Sequence, residues 1–131
     1  MNRDKLLELY KKYELTKDDV YKHQHFVIIT RQGIEKIQAK ENITISYEVI
    51  KCETNFAVFK AKAYINTKPN TIIETFGSAL KGSNFKDGNC NTFYVAEMAE
   101  KRAMSRAVLK LTGFYQLGIF GEDESEDFKK K

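Results

Sequence analysis

The chain has little of what would anchor or cross-link it by means other than a core. Cysteine occurs only twice in 131 residues. Cys52 and Cys90 lie far apart and form no C-x-x-C pair, which suits a reducing cytoplasm better than a disulfide scaffold. One proline and seven glycines are too few for a long low-complexity segment. No apolar run approaches the ~20 residues of a membrane-spanning helix. The opening residues, MNRDKLLELYKKY, carry charges through their apolar stretch and no small-residue cleavage site, so they do not read as a signal peptide. There is no G-x-x-x-x-G-K-[ST], which excludes ATP binding through a P-loop, and no G-x-S-x-G. His23 and His25 have the spacing of a strand, but no paired cysteines stand near them, so no metal centre is expected. With no catalytic constellation marked, the expected activity is binding, not catalysis, and without a cofactor.

What is present is enough for one domain. Hydrophobic residues make up 42% and charged residues 31%, and a chain of this length buries roughly two thirds of its unfolded surface. Charge is uneven. The net charge is +4, while residues 120–131 hold five acids and three lysines. That tail is −2, leaving +6 on the rest. A +6 body suits a polyanionic partner. The composition therefore divides the chain into a folded unit, 1–120, and an acidic tail, 121–131, expected to be disordered. The tail joins acids to Phe128. It could compete with nucleic acid for the basic body or dock on a partner protein.

Periodicity predicts the elements. Leu6, Leu7, Leu9, Tyr10 and Tyr13 fall at helical spacing. Thr16, three before Asp19, reads as the cap of a short second helix reaching Lys22. Residues 26–30 read as a short strand and 33–40 as a two-turn helix. Three strand signals follow, at 42–52, 56–65 and 71–80, separated by short turns, which predicts an antiparallel meander. A polar loop spans 81–91. The longest helix, 93–111, is capped by Asn91 or Thr92 and ends at Thr112-Gly113. Residues 114–120 are an apolar exit. The expectation is an α+β fold: an antiparallel three- to four-stranded meander packed on one long helix, with helices before it.

Three groups of residues carry candidate chemistry. Arg102, Arg106 and Lys110 lie at i, i+4, i+8 on the long helix and rise by ~6 Å each, a spacing that can follow a phosphate backbone. Both arginines of that helix fall in this stripe, although the chain has few arginines, and arginine makes forked phosphate contacts. Ordinary solvated helix charges are the alternative. Lys60 and Lys62 share one face of their strand with Phe56 and Tyr64. Rings interleaved with lysines on an open sheet face suit single strands, whose bases stack and whose phosphates meet ammonium groups. Phe85 with Lys81 and Lys86 repeats that chemistry in the loop. Glu74 with Glu97 and Lys101 lacks the strand D…E-x-K of a metal nuclease.

The order of parts resembles a known superfamily. The entry HFVIITRQGIEKI, the three-strand meander, the polar loop and the helix AEKRAMSRAVLKL, followed by Gly113-Phe114-Tyr115 and the acidic GEDE, resemble the phage and plasmid single-strand annealing recombinases. These include the Erf-like, Red-beta-like and ring-forming annealing proteins with a β-β-β-α core. The resemblance covers roughly residues 25–128. It implies pairing of complementary single-stranded DNA without ATP, in phage-type recombination. It also implies assembly into a ring or filament, and a DNA track between hairpin and helix. A passive single-strand-binding protein and a protein-interaction module remain open alternatives. Independently, a meander with exposed edge strands predicts a homo-oligomer.

Overall fold

A computed structural model describes residues 3–23, 26–82, 88–90 and 92–122. The chain opens with helix α1 (Arg3–Lys12) and strands β1 (Val20–His23) and β2 (Phe26–Ile29). Helix α2 (Arg31–Glu41) leads into β3 (Ile43–Cys52), β4 (Phe56–Ile65) and β5 (Ile73–Leu80). Helix α3 (Val95–Thr112), a 3-10 turn at Tyr115–Leu117 and β6 (Ile119–Gly121) complete it. The fold is mixed α+β, with two three-stranded sheets among the described residues, ordered β1-β2-β6 and β3-β4-β5.

Local chemistry accounts for the boundaries. The Thr30 hydroxyl accepts from the Gly33 amide and caps α2, and Asn42, at φ 54°, turns the chain out of it into β3. Gly113, at φ 89°, stops α3 in the left-handed region that glycine enters without a Cβ penalty. The start of α3 differs from expectation. Its cap residue is Tyr94, with no side-chain cap bond. Thr92 instead accepts from the Tyr94 amide one turn earlier, and Asn91 is outside the described residues.

The expected helix after Thr16 does not form. Asp19 turns its carboxylate back on the Thr16 amide and hydroxyl and on the Lys36 ammonium, 2.6 Å away. That local pairing makes a tight turn, and the chain enters β1 at Val20. A second difference lies at the other end. Residues 114–120 are more than an exit, because Ile119–Gly121 pairs in parallel with β2. The fold thus continues past 120: Gly121 is buried within β6, and the Glu122 carboxylate accepts from the Arg31 amide at the start of α2. Residues 123–131 are outside the described residues.

Helix α3 lies on the meander, over β4 and β5. The approach is backbone to backbone: a Cβ on Gly77 would meet Ala99 O at 2.1 Å and Ala103 N at 2.5 Å. Small residues line both surfaces, Ala99 and Ala103 from the helix and Ala57, Ala61, Ala63 and Ala79 from the sheet, all fully buried. Thr75 Oγ1 donates to Ala103 O at 2.7 Å inside this contact. The C-terminal half of α3 joins Leu6, Tyr13, Ile34, Ile37 and Phe114 in the main core, and its N-terminal half packs with Phe59 and Cys90.

Candidate nucleic-acid interface

The meander has one covered and one open face. Alternation along β4 sends Ala57, Phe59, Ala61 and Ala63 toward α3 and Phe56, Val58, Lys60, Lys62 and Tyr64 to the other side. The register then assembles the open face across three strands. Lys60 stands between Glu48 of β3 and Phe76 of β5; Lys62 stands between Ser46 and Glu74; Phe56 stands opposite Leu80. From Phe56 to Tyr64 this face extends about 26 Å along the strand, at ~3.3 Å per residue.

The four β4 residues expected to act together therefore do share one surface. Phe76, which the sequence reading passed over, belongs with them: it is 51% exposed at the centre of the face. Its signal was available, since it alternates in phase with Glu74 and Ser78. The two lysines differ. Lys60 reaches Glu74 at 3.1 Å and Glu48 at 3.6 Å, and Glu74 above all holds its ammonium above the usual lysine range. Lys62 is exposed and has no ion pair among the described residues. Among the described residues the open face is thus led by rings, with Lys62 as its available cation.

The helix stripe is not the row of solvent-facing cations expected of it. Arg102 is only 5% exposed. Its guanidinium donates to Ser78 O at 2.8 Å and Asn89 O at 2.7 Å. Arg106 donates to Phe76 O at 2.8 Å. Lys110 is exposed, with its ammonium 5.3 Å from the Tyr115 ring centroid. The expected row of solvent-facing cations is broken up because α3 lies so close to β5 that the arginine forks reach its edge carbonyls. Asn89 adds to the same edge, its side-chain oxygen accepting from the Leu80 amide at 2.7 Å.

Lys81 sits at the end of β5, its amide bonded to Asn55 O and its ammonium 5.0 Å from the Phe93 ring centroid. Phe93 and Tyr94 are both well exposed there, at the end of the sheet that carries Phe56 and Leu80. Phe85 and Lys86 are outside the described residues, as are His25 and the side chain of His23. Glu74 lies on the open face while Glu97 and Lys101 belong to α3, on the covered side, so the sheet separates the three groups of the nuclease alternative. Among the described residues, no helix is long and apolar enough to cross a membrane. No family model, curated protein or solved structure matches the chain.

Proposed function

We propose that the protein binds single-stranded DNA on the open face of the β3-β4-β5 sheet and pairs complementary strands without a nucleotide cofactor. The observation that carries this reading is the set Phe56, Tyr64 and Phe76 exposed or half-buried on one sheet face around Lys62. Rings on a flat face take bases of any identity, and ~1–3 kcal/mol per stacked base is ample for a short site. The face would hold on the order of four nucleotides, with Lys81, Phe93 and Tyr94 extending the path beyond Phe56. Arg102 and Arg106 act on this face only through the strand they hold. The protein is read as a binding protein of a reducing cytoplasm, in which Cys52 and Cys90 stay free thiols, with the acidic segment after 122 as a competitor for its cations.

The test is fluorescence anisotropy of an oligo-dT, read beside annealing of two complementary oligonucleotides without ATP. Phe76→Ala is expected to weaken binding roughly 5- to 150-fold, the value of one stacked base. Because Lys60 is already paired, affinity should fall only gently with salt, by the release belonging to one or two phosphates. No binding of any single strand sinks the reading. Binding without annealing leaves a passive single-strand binder.

A further inference from the structure

The two edges of the β3-β4-β5 sheet are treated differently. In an antiparallel sheet, successive residues turn their backbone groups alternately to one neighbour and the other. The Lys81 amide bonds to Asn55 O, so the odd residues of β5 face β4 and the even ones face outward. The outward carbonyls from Phe76 to Leu80 are occupied. Arg106 takes Phe76 O and Arg102 takes Ser78 O, while the Asn89 and Cys90 amides both donate to Leu80 O. No further strand can add along β5 without displacing them.

The β3 edge has the opposite character. The Asn66 amide bonds to Asn42 O, so the even residues of β3 face β4, and Ile43, Ile45, Tyr47 and Val49 point their amides and carbonyls outward. Gln38 Nε2 reaches Ile43 O at 3.4 Å. Along Ile45, Tyr47 and Val49 no hydrogen bond meets that edge among the described residues. The same three residues turn their side chains to the α3 side of the sheet; Ile45 packs against the main core, while farther along the strand Tyr47 is left 38% exposed and Val49 56%. An uncovered edge with apolar side chains is a template for another strand.

We propose that β3 pairs with β3 of a second copy of this chain, antiparallel about a two-fold axis at Tyr47. A copy is the fitting occupant because the edge is self-complementary in one register. With Tyr47 opposite the partner's Tyr47, Ile45 meets the partner's Val49 and all three outward residues enter the ladder. Sliding one pairing step toward the C-terminus sets Glu48 opposite the partner's Glu48, a destabilising like-charge pair. Sliding one step the other way requires Ile43, whose carbonyl Gln38 already holds. Past Val49, the register shift between Val49 and Lys51 ends the regular edge.

In the Tyr47 register the open-face rows also match in charge. One row reads Glu74, Lys62, Ser46 and then the partner's Glu48, the partner's Lys60 and the partner's Phe76, so its four charged residues alternate in sign. Because β5 is capped, a head-to-tail β3-to-β5 addition is blocked and assembly through the sheet closes at two copies.

The test needs no DNA, so it stands or falls apart from the binding reading. Light scattering on the full chain at micromolar concentration should give twice 15.2 kDa. Tyr47→Pro removes an outward amide, leaves the β3-β4 ladder intact, and should give a folded monomer by circular dichroism. Val49→Lys, which puts a charge on the edge, should do the same. In the wild-type protein, hydrogen exchange should show the Ile45, Tyr47 and Val49 amides protected, and this decides the matter should either variant fail to fold. A wild-type monomer, an assembly larger than two, freely exchanging amides at these three positions, or a dimer that persists in both folded variants overturns the proposal.

Discussion

Arg102 shows how a residue's charge can mislead about its task. A guanidinium on a helix is normally solvated, yet here it is buried against two carbonyls. Charge-assisted hydrogen bonds contribute ~1.5–3 kcal/mol each. Arg102→Ala leaves Ser78 O and Asn89 O without this donor and should lower unfolding free energy by about 3 kcal/mol in urea titration. Arg102→Lys should recover little, because a single ammonium cannot span both acceptors as the fork does. Asp19 is the matching case for an acid. Burial pushes its carboxyl up, but Lys36 and the Thr16 amide and hydroxyl outweigh that and hold it below the usual range. Lys12 and the Tyr13 hydroxyl likewise hold Glu41 down. A depressed carboxyl adds stability that is complete above its unfolded pKa and is lost as pH falls through the folded one. Urea midpoints should therefore be flat near neutrality and fall through the acid range, and Lys36→Met should lower the midpoint near neutrality and make that fall shallower, because Asp19 loses the partner that holds its carboxyl down.

Among the elements, those with strong period were legible and those made by distant partners were not. The alternation of 56–65 predicts β4 with the bounds it has, and with it the shared face of Phe56, Lys60, Lys62 and Tyr64. The helical period of α3 is equally plain. What the period cannot carry is the height at which α3 rides on the sheet. Gly77 sets that height, and the close approach turns the Arg102–Arg106 stripe from a solvent-facing row into a cap on the β5 edge. Gly77→Ala should thus do two things. It should cost about 1–3 kcal/mol or more by overpacking, and by lifting α3 it should expose the edge to exchange. Protection of the Leu80 amide, held by Asn89 Oδ1, that stays unchanged in this variant would break the link. Thr16–Asp19 was misread for a related reason: a capping pair and a turn use the same two side chains, and only the position of Lys36 separates them.

At the scale of the molecule, the two sheets are put together by different routes. The meander joins neighbours in sequence through short turns, whereas Ile28 and Phe120 pair although about ninety residues separate them, a contact of high order. Nothing in a three-residue strand announces such a partner. In pulse-labelled refolding the β4 amides should gain protection before those of β6, since closing the long loop carries more entropy; simultaneous protection would argue against this order. The same pairing bears on synthesis. At ~5–20 residues per second, the β1-β2 hairpin emerges some five to twenty seconds before its third strand exists, and during that interval one flank of β2 stands bare in a growing polypeptide.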